Sequence, residues 1–142
     1  MISQNYAEVF SVEKDVLVET RTDKGEYSVG EEVKISITVT NKGLNPVELI
    51  FTFAQRYDII VLKEGAEVWR WSKNKMFAMV LESLLLKPGE KQTYMETWEP
   101  KCITPGEYEV IGTVTSQPAH RATCVIKINQ CFASSFRGLL AG

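Results

Sequence analysis

Alternation with a period of two runs through most of this chain. Val33–Asn41 (VKISITVTN) places Val33, Ile35, Ile37 and Val39 on one face and Lys34, Ser36, Thr38 and Thr40 on the other. That is the pattern of a half-buried antiparallel strand. Val16–Thr22 is a shorter run of the same kind, and Val47, Leu49, Phe51 and Phe53 repeat it. Tyr57–Leu62 and Glu67–Ser72 are two apolar runs joined by a Lys-Glu-Gly turn, which predicts a hairpin. Gln92–Trp98, Glu107–Ser116 (with Tyr108, Val110, Gly112 and Val114 together) and Arg121–Gln130 (with Cys124, Ile126 and Ile128 together) complete the series. Phe77–Leu86 is apolar with mixed spacing and reads as a short turn feeding a strand.

Turn chemistry separates these runs. Tyr27–Glu32 holds Gly30, free to take positive φ. Asn41–Pro46, Lys87–Glu90 and Pro100–Gly106 are further breaks rich in Gly, Pro and Asn. Eight or nine short strands at regular spacing predict an all-β, immunoglobulin-like antiparallel sandwich. It is expected to occupy residues 16–130. Residues 131–142, ending in FASSFRGLLAG, read as a C-terminal tail, either disordered or docked on a sheet edge.

Composition narrows the function classes. The 142 residues are 44% hydrophobic and 24% charged, in the globular range, and suffice for one core. Sixteen basic against 18 acidic residues give a net charge of −2 with no basic stripe, which argues against a nucleic-acid partner. No stretch approaches the roughly 20 apolar residues of a membrane span. The N-terminus, MISQNYAEVFSVEKD, lacks the basic and apolar regions of a signal peptide. A cytoplasmic protein is expected, with an extracellular or surface one as the alternative had a leader been removed.

Cys102, Cys124 and Cys131 are odd in number and without CxxC spacing, which suits free thiols in a reducing compartment, although Cys124 and Cys131 could pair across a turn. The single histidine, His120, follows Pro118 in an expected turn. No metal or cofactor site is expected, and neither is an enzyme: there is no nucleophile elbow, phosphate loop, dinucleotide fingerprint or zinc spacing.

The chemistry concentrates in the predicted hairpin. Asp58 lies between Tyr57 and an Ile-Ile-Val run, so its carboxylate needs a partner. Arg70 on the facing strand is the first candidate and Arg56 the second. A cross-strand Asp58–Arg70 pair would fix the register; the alternative is that Arg70 or Arg56 meets a ligand carboxylate. Trp69 and Trp71 share one face and Arg70 the other. Core packing is the expected role for one tryptophan and for Trp98, with the other tryptophan partly exposed. Two loops are suited to meeting a partner: Ser72–Met76, and Pro100–Gly106, stiffened by Pro100 and Pro105 so that less entropy is lost on binding.

The order of these residues resembles a known family. F-x-F-x-Q-R-Y-D (Phe51 to Asp58), V-W-R-W-S (Val68 to Ser72), Met76-Phe77, L-x-P-G-E (Leu86 to Glu90), Trp98 and P-G-x-Y-x-V (Pro105 to Val110) are similar to the bacillar intracellular proteinase inhibitors, BsuPI. Tyr27 to Glu31 and Thr40 to Gly43 extend the resemblance, which covers roughly Val16 to Ile128. It implies an immunoglobulin-like sandwich and non-covalent inhibition of an intracellular subtilisin-type serine protease by a loop or edge strand in its cleft. Gln55, Tyr57, Asp58, Trp69, Arg70, Trp71, Ser72 and Phe77 are then structural markers. Lys73, Asn74, Lys75 and Met76 are the first candidates for protease contact, and Lys101, Cys102 and Ile103 the second. The alternative is a non-inhibitory binding or structural module of the same fold.

Overall fold

The structure, a computed structural model, describes residues 6–9 and 15–130. Its strands are β1 (Tyr6–Val9), β2 (Val16–Thr22), β3 (Glu26–Ser28), β4 (Val33–Asn41), β5 (Val47–Phe51), β6 (Tyr57–Lys63), β7 (Ala66–Arg70), β8 (Glu82–Leu86), β9 (Lys91–Trp98), β10 (Gly106–Val114) and β11 (His120–Asn129). They form an immunoglobulin-like sandwich. One sheet has the order β1-β11-β10-β6-β7, with β3 pairing parallel to β11; the other is β2-β4-β9; β5 and β8 form a two-stranded ribbon.

Alternation chose the faces as the sequence predicts. Val33, Ile35, Ile37 and Val39 of β4 are fully buried against Val110 and Val114 of β10 and Ile126 and Ile128 of β11. Two short strands escaped the pattern. β3 lies where only a turn is expected, because three residues are too few to show a period and Tyr27 is its only buried member. β1 borders β11 through Tyr6↔Val125 to Val9↔Ala122. His120, expected in a turn, instead opens β11, buried, opposite Val114. Phe53, expected to continue β5, lies beyond its end and is exposed, since the chain bends after Phe51. The expected tail and any pairing with Cys131 lie outside the described residues.

Three polar devices hold the layers together. Thr20 of β2, buried, donates its hydroxyl to the carbonyl of Ala122 in the opposite sheet at 3.0 Å. Beside it, a Cβ on Gly112 would come within 2.4 Å of Thr20 Oγ1 and 2.7 Å of Ile37 Cγ1, so a side chain there would push the sheets apart. Tyr108, near the start of β10, donates its hydroxyl back to the carbonyl of Thr104. This is the tyrosine corner of immunoglobulin-like sandwiches, and it ties the 99–105 loop to the core.

Asn41 is the third device. Its buried amide donates to the carbonyls of Asn45 at 2.8 Å and Leu86 at 2.9 Å, and its carbonyl oxygen accepts the Gly43 N–H at 2.8 Å. Its backbone also bonds Gly89 and Glu90. One side chain thus joins the turn after β4 to the turn after β8.

Candidate protease-binding site

The hairpin β6–β7 organises the site. Its turn is Glu64-Gly65, both with positive φ (51° and 82°), the backbone of a tight two-residue hairpin. Lys63 faces Ala66 and Leu62 faces Glu67, but the register then slips, so that Val61 faces Trp69 and Ile60 faces Arg70. The extra residue is Val68, a bulge. Its consequence is geometric, because a one-residue slip moves every following side chain to the other face. Trp69 and Trp71 therefore join Tyr57, Ile59 and Val61 on the inner face, while Arg70 and Ser72 join Asp58 and Ile60 on the outer one.

On the inner face the aromatic rings close the open side of the sandwich between β7 and β9. Trp71 stacks on Tyr57 with centroids 4.6 Å apart, and Tyr57 stacks on Tyr94 at 4.7 Å. Trp69 lies 6.0 Å from Trp98, and Trp98 lies 6.0 Å from Tyr108. The Tyr57 hydroxyl donates to Glu96. Burial, then that hydrogen bond to a carboxylate, pushes the Tyr57 hydroxyl well above its ordinary pKa, so it remains a donor. Trp98 is core; Trp69 and Trp71 are both half-buried and pack against the core, rather than dividing into one buried and one exposed ring.

On the outer face Asp58 is a hub, but its main partner is not Arg70. It accepts the Ser72 hydroxyl at 2.6 Å, the Ser72 N–H at 3.1 Å and the Ile59 N–H at 2.8 Å. Arg70 stands diagonally across at 3.5 Å and makes its closer contact with Glu67 at 2.8 Å. The bulge explains the correction: it sets Ser72 directly across from Asp58 and Arg70 across from Ile60. The second arginine, Arg56, is bonded to Glu82 and lies over the Phe51 ring at 4.5 Å. Both guanidiniums already hold carboxylates of the chain itself. Gln55 donates its side-chain amide to the Tyr57 carbonyl at 2.9 Å, shaping the approach to β6.

The two candidate loops lie at opposite ends of this hairpin. The Ser72–Met76 loop leaves the end near Tyr57 and Val114, whereas Lys101, Cys102 and Ile103 lie at the turn end, where Gly106 approaches Lys63. The seven residues of β6 separate them by about 20 Å, so they do not form one surface. The first loop is a tight turn: Lys73 N–H bonds the Arg70 carbonyl at 3.2 Å, Lys75 N–H bonds the Ser72 carbonyl at 3.0 Å, and Asn74 is left-handed (φ 65°). Lys73 and Asn74 point to solvent, Lys75 Nζ sits 4.9 Å over the Trp71 ring, and Met76 is 96% exposed. Phe77 rests on Trp71 with centroids 6.0 Å apart. In the second loop Lys101 and Cys102 are exposed, Cys102 is left-handed (φ 55°), and Ile103 turns inward to pack on the core.

The comparisons bear on this arrangement. A model of the family described as intracellular proteinase inhibitor, BsuPI, matches residues 20–119. The chain belongs to that family. The match includes the whole β6–β7 hairpin, the aromatic row and both loops. No curated protein matches the chain by sequence. Among solved structures, the sporulation control protein Spo0M of Bacillus subtilis is similar at 20% identity and a TM-score of 0.50, over 82% of this chain and 49% of that one. The CARDB domain of the PF1109 protein from Pyrococcus furiosus is 18% identical with a TM-score of 0.49, over 81% of this chain and 88% of that one. A β-glucosidase of Erythrobacter marinus is 14% identical with a TM-score of 0.45, over 88% of this chain and 16% of that one. This chain thus spans half or less of the length of Spo0M and of the glucosidase, and the likeness to Spo0M is one of fold. Among the described residues no group of three or more His, Cys, Asp or Glu could hold a metal ion, and no helix is long and apolar enough to cross a membrane.

The two described cysteines are free and differ in kind: Cys102 is exposed and Cys124 is buried. Burial pushes the Cys124 thiol up to about 11, against an ordinary 9.0, so little thiolate forms at neutral pH. Peptide mapping after treatment of the native protein with iodoacetamide is expected to show Cys102 modified at least about 100-fold faster than Cys124, the two rates converging in denaturant.

Proposed function

We propose that this BsuPI-family chain inhibits a subtilisin-type serine protease, without catalysis and without a covalent bond, by placing a loop or edge strand in the protease cleft. The observation that carries the proposal is the match of residues 20–119 to the inhibitor family. The hairpin supports the mechanism. β7 forms an outer edge of its sheet, open to strand addition. The loop after it is held from below by Asp58 and Trp71, so little order remains to be imposed on binding. Free cysteines at 102 and 124 are in keeping with a protease partner in the reducing cytoplasm.

Titration of subtilisin with the purified chain, read with a small chromogenic substrate, tests this. Activity is expected to fall linearly to an endpoint at about one inhibitor per enzyme when affinity is nanomolar. Full activity in excess of the chain would reject the proposal in favour of a non-inhibitory binding module.

A further inference from the structure

Directly after the tight turn, residues 76–81 read Met-Phe-Ala-Met-Val-Leu and lie in no strand or turn. Apolar side chains favour burial, yet Met76, Met79 and Leu81 are 96%, 78% and 76% exposed, and Val80 is 37% exposed. Only Phe77 turns inward, onto Trp71. A contiguous exposed apolar run costs solubility and marks a surface kept for contact.

The segment is also anchored along its length. At its start Phe77 packs on Trp71. In the middle the Ala78 carbonyl accepts the Ala54 N–H at 2.8 Å. At its end Glu82 is bonded to Arg56 and enters β8, paired with Phe51 of β5. Three attachments hold the backbone while Met79, Val80 and Leu81 point outward. A loop built this way loses little entropy on binding and resists release of its halves if cut.

Building on the inhibitor reading above, we propose that Met76–Leu81, rather than the lysine-bearing turns, is the segment that enters the protease cleft, and that the protease it fits prefers large apolar side chains in its subsites. The lysine turn at 72–76 is compact, with left-handed Asn74, a shape unlike the extended chain that adds to a cleft as a strand. The loop at 101–103 commits Ile103 to the core. In Met76–Leu81 the backbone outside Ala78 is free of ladder pairing, and every side chain but that of Phe77 is exposed.

The test is the inhibition constant of the full chain for subtilisin after Met79→Asp and, separately, Leu81→Asp, with Lys127→Ala, exposed on β11, as control. Each aspartate is expected to raise the constant at least about 100-fold, as loss of a central apolar anchor does, while the control stays within about threefold and all three variants keep the wild-type melting temperature. Inhibition within about threefold of wild type for both aspartate variants would overturn the assignment while leaving the inhibitor reading intact. That result with a lowered melting temperature, or with a changed elution volume, would give the segment to the C-terminal residues or to a second copy. A wild-type chain that leaves subtilisin fully active would reject the inhibitor reading, and this assignment with it.

Discussion

Replacing Asn41 with alanine is expected to lower the stability of the sandwich by about 3 kcal/mol, read as a shift of the urea midpoint at unchanged slope. The estimate rests on what the amide holds. Two carbonyls, of Asn45 and Leu86, and one N–H, of Gly43, lose their partner together in a fully buried position. Each buried group left unsatisfied costs about 1–3 kcal/mol, and the turn can recover part of it by admitting water. Asn41→Asp separates the causes. It keeps the acceptor for Gly43 but loses both donors and buries a carboxylate against two carbonyls, so it should be at least as damaging as alanine. An Asn41→Ala protein within about 0.5 kcal/mol of wild type, the scatter of surface substitutions, would show that the two turns hold without the amide.

The same residue shows what a sequence can and cannot disclose. Asn41–Pro46 was legible as a turn because Asn, Gly and Pro favour one, and Val33–Asn41 was legible as a strand because its alternation is unbroken. That the Asn41 side chain reaches Leu86, 45 residues away, was not, since nothing local records which distant backbone a side chain will meet. The hairpin repeats the lesson. Both strands and the Glu64-Gly65 turn follow from composition, and so does the need of Asp58 for a partner. The partner depends on one bulged residue, Val68, which leaves the apolar pattern of VWRW unchanged while setting Ser72, in place of Trp71, opposite the carboxylate. Residues 76–81, legible as a turn feeding a strand, hide something else. Hydrophobicity states what a side chain favours, and only the packing around it reveals that Met79 and Leu81 remain uncovered.

Asp58→Ala is expected to cost about 2 kcal/mol of stability and to weaken inhibition of subtilisin about tenfold, with the chain cut faster by the protease it binds. The carboxylate accepts from Ser72 twice and from Ile59 once, with its side chain only 13% exposed. Removing it leaves two backbone N–H groups short of an acceptor at the root of the loop. Arg70 adds little to this cost, because at 3.5 Å and 39% exposed it stands at the margin of the site and keeps Glu67. Arg70→Ala should therefore be milder than Asp58→Ala in both stability and inhibition, whereas a dominant Asp58–Arg70 ion pair would make the two alike. Ser72→Ala gives the intermediate case, losing the 2.6 Å hydroxyl bond while the N–H bond survives. The ordering Asp58→Ala, Ser72→Ala, Arg70→Ala, from largest loss to smallest, is the signature of a loop fastened at its base by a carboxylate gripping the next strand's backbone. Thermal melts and inhibition constants for the three variants decide it, and a reversed order for Ser72 and Arg70 would return the ion pair to the centre of the site.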